Sequence, residues 1–255
     1  MQLGFSLSSE EHRPNALVEQ ARRAEEAGLY EALASDYDGT LADGGQVAEP
    51  TLSALRRLGA AGWRVLLVTG RHLDDLLRVF PGVAVCDLVV AENGGLLYAP
   101  GTSAQRALAE PPAPGFLEEL RRRGVAFSVG RTVVATTTAH ESAVRDAIDL
   151  LGLDLELAFN KGAVMVLPRG VDKRSGLLAA LEEIGLTRDR VVAVGDGEND
   201  LPFMKLCGCS VALANAVPEL RASADLVTSA GNGQGVRELI ARLLRPELPE
   251  PLFGT

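Results

Sequence analysis

The chain has 255 residues, enough to bury a sizeable core in one or two domains, and although 47% of them are hydrophobic, no apolar run approaches the roughly eighteen residues of a membrane span. Its 34 acidic and 25 basic residues leave a formal charge of −9, which argues against a nucleic-acid partner. No signal peptide opens the sequence, so a cytoplasmic protein away from the membrane is expected, and the three cysteines, Cys86, Cys207 and Cys209, form no disulfide framework.

In chain order, a strand at Leu3 to Leu7 and a helix at Ala16 to Ala27, striped by Leu17, Val18, Ala21 and Ala24, precede a strand that begins near Glu31 and runs into Ser35-Asp36-Tyr37-Asp38-Gly39-Thr40. Alternate side chains of an extended chain share a face, so Asp36 and Asp38 can point at one small volume while Tyr37 points away; Gly39 and Thr40 then turn the chain. Two carboxylates that close need a cation such as Mg²⁺ between them, or a proton on one of them. Taken alone, the pair also reads as a strand-to-helix turn with Asp as a cap.

A helix from Glu49 to Leu58 leads to the apolar run Ala61–Thr69, which ends in Thr69-Gly70-Arg71. A helix at His72 to Phe80 and a strand at Asp87 to Ala91 follow, ending in the turn Glu92-Asn93-Gly94-Gly95. Beyond the Pro-rich linker 110–114 the pattern is helix (116–123), strands (125–129 and 131–138), helix (141–151) and strands (155–159 and 163–167). Such an α-β-β-α-β-β unit suits an antiparallel sheet with one helical face. A helix from about Asp172, opened by Lys173 and closed at Gly185, precedes a second uninterrupted apolar strand, Arg190 to Asp196. Short strands at 210–213 and 225–228 and a helix at 235–244 complete the chain. Strands without polar alternation, alternating with helices, imply a mostly parallel sheet covered on both faces. Ligands of such sheets bind at the carboxyl ends of the strands, where Asp36, Asp38, Thr69, Asp196 and Asp200 all fall. Lys173 is one of only three lysines. Its plainer reading is a solvated helix-start residue, although a cation there opposes the helix dipole.

Taken together, DYDGT, VTGR, a lysine at a helix start and GDGEND, in this order over residues 36–200, resemble the haloacid dehalogenase superfamily of phosphohydrolases. The wording VVAENGGLLY and the long segment between Arg71 and Lys173 are similar to its Cof-type (IIB) branch. The resemblance implies an α/β fold: a Rossmann-like parallel core (31–102 and 169–255) with an inserted small α/β cap (103–168) and an N-terminal extension (1–30). It further implies that Asp36 is the nucleophile that forms an aspartyl phosphate, and that Asp38 is the acid/base. Thr69 and Lys173 would then hold the phosphoryl group. Mg²⁺ would lie on the Asp36 carboxylate, the Asp38 carbonyl and Asp196, with Asp200 and Asn199 completing and orienting that shell. The expected substrate is a small phosphorylated metabolite such as a sugar phosphate.

Gly70 belongs to the phosphoryl-binding turn. Arg71, Asn93 and Lys161 are candidates for recognising the leaving group; their plainer readings are a surface ion pair for Arg71 and turn stabilisation for the other two. An Asp at position 38, where the superfamily's transport ATPases carry Thr, favours a phosphatase or a phosphomutase. Cys207 and Cys209 read as small buried residues, and His72, directly after the TGR motif, as structural. No oligomeric state is assigned by these features. Residues 1–36 resemble the start of luciferase-like, flavin- or deazaflavin-dependent oxidoreductases. That reading fails as a function on length, since a (β/α)₈ barrel needs at least about 200 residues. Because the nucleophile strand should already have parallel neighbours on both sides, Leu3–Leu7 is expected not to pair with it.

Overall fold

A computed structural model describes residues 30–244. The expected strand at Leu3 to Leu7 and helix at Ala16 to Ala27, with the oxidoreductase resemblance resting on them, lie outside the described residues.

The larger sheet has eight strands. In chain order these are β1 (Ala32–Ser35), β2 (Arg64–Val68), β3 (Leu88–Ala91), β4 (Leu96–Ala99), β5 (Ala104–Ala107), β10 (Val191–Gly195), β11 (Cys209–Ala212) and β12 (Leu226–Val227). Their spatial order is β12-β11-β10-β1-β2-β3-β4-β5, parallel from β12 to β3 and antiparallel beyond. The central strands are apolar on both faces because both faces are covered. Leu33, Leu67 and Val194 belong to one core with Leu55 and Leu58 of helix α1 (Glu49–Ala60), Leu76 of α2 (Leu73–Val79) and Leu239 and Ile240 of α8 (Asn232–Leu243). Ala34, Leu66 and Ala193 belong to the other, with Leu177 and Leu181 of α5 (Lys173–Ile184), Phe203 of α6 (Leu201–Met204) and Leu220 of α7 (Pro218–Ser223). The register sets Ser35 opposite both Leu67 and Val194, so Asp36, Thr69 and Asp196 leave their strands at nearly one level.

The inserted cap is a four-stranded antiparallel sheet, order β6-β7-β9-β8: β6 (Ser128–Val129), β7 (Val134–Thr137), β8 (Leu155–Asn160) and β9 (Ala163–Pro168). Helices α3 (Pro114–Arg122) and α4 (Glu141–Leu151) pack Phe116, Leu120, Val144 and Ile148 against Val134 and Val166 on one face. Met165 and Ala135 lie on the other face, toward the larger sheet.

The antiparallel strands β4 and β5 are absent from the sequence reading, and β5 places Ala104–Ala107 in the larger sheet although the cap was expected to begin at residue 103. All four β5 residues are exposed, so no hydrophobic pattern marks them. The first cap strand, expected over 125–129, shrinks to Ser128 and Val129, the two residues that pair with β7.

Both edges of β1 are taken, by β10 and by β2. A chain lacking residues 1–28 keeps Tyr30, whose hydroxyl donates to the Gly208 carbonyl at 3.1 Å, and keeps every ladder bond of β1. Because the ladder of β1 is complete without residues 1–28, the activity of the truncated chain is expected within about twofold of the full chain and its Tm within a few degrees. Thermal melts of the two chains side by side test this; loss of the folded core would show that the extension is needed.

Candidate active site

Asp36 follows β1 and Lys173 opens α5, and the two meet under the cap. Lys173 Nζ lies 2.5 Å from Asp36 Oδ1 and 2.5 Å from Asp200 Oδ1, with the ammonium 5.8 Å from the centroid of the Phe203 ring. The lysine is 1% exposed, which removes the reading of a solvated helix-start residue. Its place is fixed by the helix cap: Asp172 Oδ1 accepts from the Ser175 N–H at 2.7 Å while the Asp172 N–H donates to Ser175 Oγ at 3.0 Å. The approach of α5 to the end of β3 depends on two glycines. At Gly94, where φ is +108°, a Cβ would strike the Asp172 carbonyl, and at Gly176 a Cβ would lie 2.6 Å from Gly94 Cα.

Asp200 accepts the Asp196 and Gly197 N–H groups on Oδ2 at 2.9 and 2.8 Å, so it braces the GDGEND loop while its other oxygen pairs with Lys173. Asp196 accepts from Thr40 Oγ1 at 3.0 Å on one oxygen, and from Lys161 Nζ at 2.6 Å and Asn215 Nδ2 at 3.0 Å on the other. Oxygens of Asp36, Asp196 and Asp200, all three buried, lie within 4.8 Å of one another. Burial, then the Asp200 charge, push the Asp36 carboxyl above its ordinary value, with Lys173 pulling against them. For Lys173 burial opposes the charge, but Asp200 and Asp36 outweigh it and keep the ammonium protonated. Burial likewise raises Asp196, opposed by Lys161. Three crowded oxygen donors of this kind suit a hard divalent cation. Two buried acceptors beside them, Asn160 Oδ1 and Asn199 Oδ1, have no partner, which fits a site that holds a further donor such as metal-bound water.

Tyr37 points away from Asp36 and Asp38 as expected: it is fully buried, donates to the Gly45 carbonyl at 3.0 Å and packs on Phe80 at 5.4 Å between ring centroids. Asp38 lines the same cavity as Asp36, and its carboxylate is clamped by Arg71, Nε to Oδ2 at 2.6 Å and Nη2 to Oδ1 at 2.8 Å. Arg71 also bonds Asp75, and its backbone N–H donates to Thr69 Oγ1 at 3.1 Å. Arg71 is thus an ion pair, but one made with the site itself. Asn93, left-handed with φ at 54°, donates its N–H to the Thr69 carbonyl at 3.0 Å and accepts from Asn199 Nδ2 at 3.1 Å, tying together the ends of β2, β3 and β10. At Gly70 a side chain would meet the Met165 sulfur at 3.0 Å, so the glycine admits the cap.

A family model described as haloacid dehalogenase-like hydrolase matches residues 33–144 and 156–240. A curated relative, the phosphoglycolate phosphatase of Methanothermobacter thermautotrophicus, is 35% identical over 222 residues, covering 84% of this chain and 98% of its own. The chain belongs to the haloacid dehalogenase-like hydrolases. It is a phosphatase of that type, as its motifs implied. Phosphoglycolate phosphatase 2 of Saccharolobus solfataricus is 29% identical, over 83% of this chain and 91% of its own. In fold, a haloacid dehalogenase-like hydrolase from Bacteroides thetaiotaomicron matches with a TM-score of 0.74 at 21% identity, over 84% of this chain and all of the other.

In this hydrolase a cavity of about 920 Å³ separates core from cap, with Asp36, Asp38, Thr69 and Arg71 on one side and Ser128, Arg131, Asn160 and Met165 on the other. Several residues that shape it carry no sequence signal. Glu92, fully buried, accepts the Arg131 N–H at 3.0 Å and, on its second oxygen, the Thr132 N–H at 2.8 Å and hydroxyl at 2.9 Å, fastening the cap to the end of β3. The Arg131 side chain pairs with Asp74 at 3.0 Å, and Ser128 Oγ lies 3.4 Å from His72 Nε2. Asn215 joins the site from the segment after β11. No helix among the described residues is long and apolar enough to cross a membrane.

Proposed function

We propose that this phosphatase is a Mg²⁺-dependent hydrolase of small phosphomonoesters, with phosphoglycolate or a similar short phosphorylated hydroxy acid as substrate. The observation that carries the reading is the buried Asp36–Lys173–Asp200 arrangement opening on a cavity that also holds Asp38 and Thr69; the names of the relatives support the choice of substrate over a sugar phosphate.

Asp36 attacks phosphorus and the ester oxygen leaves, giving an aspartyl phosphate. Lys173 holds the attacking carboxylate in one orientation and offers fixed positive charge to the phosphoryl oxygens, which Thr69 also receives with its hydroxyl. Asp38 gives the leaving alkoxide its proton and then takes one from the water that cleaves the acyl phosphate, with Arg71 fixing its orientation. The Asp36 carboxylate, the Asp38 carbonyl and Asp196 would hold Mg²⁺, whose charge would neutralise the phosphoryl oxygens. Asp200 and Asn199 orient that loop, and the small cap encloses the leaving group.

If Asp38 is the acid, its loss matters most where the leaving group is a poor one. Asp38→Asn is expected to lower kcat/KM on phosphoglycolate by about 10³-fold, within the range for general acid–base groups, and on p-nitrophenyl phosphate by at least tenfold less. Equal losses on both esters would assign Asp38 to positioning instead. On the wild-type protein, phosphate release should be faster from phosphoglycolate than from hexose phosphates; isomerisation of a sugar phosphate without release of phosphate would make it a mutase.

A further inference from the structure

Lys161 stands at the tip of the β8–β9 hairpin, in a turn left-handed at Lys161 itself (φ 47°) and at Gly162 (φ 84°). That turn carries the side chain off the cap and across the cleft, where Nζ lies 2.6 Å from Asp196 Oδ2 and 3.4 Å from the Asp38 carbonyl oxygen. Its way in passes Gly39, where φ is +85° and a Cβ would lie 2.7 Å from the ammonium. The two oxygens it touches are two of the three ligand positions assigned to Mg²⁺ above. An ammonium and a divalent cation cannot share them: Mg²⁺ needs its oxygens at about 2.1 Å in a full octahedron, and the two charges would repel at contact distance.

The other Lys and Arg side chains at the cavity, Arg78 on Asp75 included, each have a carboxylate outside the three positions assigned to Mg²⁺. Arg71 holds Asp38 and Asp75, Arg131 holds Asp74, and Lys173 retains Asp200. Lys161, its side chain 45% exposed on a flexible stem, is the one among these whose carboxylate bond is to a metal position with no second carboxylate to fall back on.

We infer that Lys161 is a tethered stand-in for the metal: it neutralises Asp196 in the metal-free protein, is expelled by the divalent cation, and its freed ammonium then pairs with an anionic group on the leaving part of the substrate, such as a carboxylate. This rests on the reading of the site given under Proposed function. It makes metal binding and leaving-group recognition one event, because the recognising charge is released by the metal.

The test uses the full chain without substrate first. Mn²⁺ is titrated by electron paramagnetic resonance against wild type, Lys161→Met and Lys205→Met, the last removing an equal charge at an exposed position of the core. Removing a tethered competitor frees the fraction of sites it blocks, so Lys161→Met is expected to bind Mn²⁺ about tenfold more tightly, and Lys205→Met within twofold of wild type. The second readout is the kcat/KM ratio of phosphoglycerate to glycerol phosphate, which differ in the carboxylate. It is expected to fall about tenfold in Lys161→Met. Metal affinity no higher than that of Lys205→Met, or an unchanged ratio, overturns the inference. A wild-type protein that binds Mn²⁺ yet ignores phosphoglycolate counts against the proposed substrate, whereas the metal titration judges Lys161 without any substrate.

Discussion

If Asp36 is the nucleophile, exchanging it for Asn is expected to lower phosphate release by more than about 10⁴-fold while the protein stays folded. The amide has the shape of the carboxylate but neither its charge nor its nucleophilicity, and a nucleophile acting as part of a unit carries most of that unit's rate. The fold should survive, because Lys173 has Asp200 at 2.5 Å as a second partner and no buried cation is stranded. Asp36 is moreover an unfavourable charge: burial and the Asp200 carboxylate already push it above its ordinary value. Removing that charge relieves repulsion within the acidic cluster, so the metal-free variant is expected to melt at the wild-type temperature or above it, a common relation between stability and activity at catalytic sites. Phosphate-release assays paired with thermal melts measure both effects. Turnover near that of wild type would take the nucleophile's role away from Asp36.

Much of this arrangement was legible in the sequence, for identifiable reasons. Strands β1, β2 and β10 are buried on both faces, so their sequences carry no polar alternation and stand out as apolar runs; their carboxyl ends then locate Asp36, Thr69 and Asp196 without further information. The cap was readable as two helices and four strands because its helices have one apolar face each. What could not be read is whatever depends on distant residues meeting side chain to side chain. Arg71 reads equally as a recognition residue or a surface ion pair, and nothing local says that its partner is Asp38. Lys161 was a turn residue with a charge, and only the docking of the cap puts it on Asp196. Glu92 belongs to a turn motif that normally faces solvent, yet the cap seals it over and gives it three donors. Strand β5 is an exposed edge whose pairing is backbone alone, which leaves no trace in the order of side chains.

Lys173 is where stability and chemistry meet, and its replacement by Met is expected to damage both. Methionine keeps an apolar stem but removes the ammonium that lies over Phe203, leaving Asp36 and Asp200 to face each other in a buried site. Breaking a buried ion pair by taking away one partner costs on the order of 3–5 kcal/mol. For a chain of this size that is a fall of about 10 °C in Tm. Activity is expected to fall with it, since on the proposed mechanism the phosphoryl oxygens and the nucleophile lose the same fixed charge. The single variant alone could be read as a packing defect, but the double variant Lys173→Met/Asp36→Asn separates the causes. In it Asp200 is the one carboxylate left of the two that Lys173 held, and it still accepts the Asp196 and Gly197 N–H groups. If uncompensated charge is the reason for the loss, the double variant regains at least half of the lost Tm while remaining inactive, a coupling of the kind expected for groups in one network. If the double variant melts no higher than Lys173→Met, the ammonium acts through packing and not through its two carboxylates. Adding Mg²⁺ to Lys173→Met should restore part of the melting temperature on the same grounds, because a divalent cation on Asp36 and Asp196 offsets the charge that the lysine no longer balances.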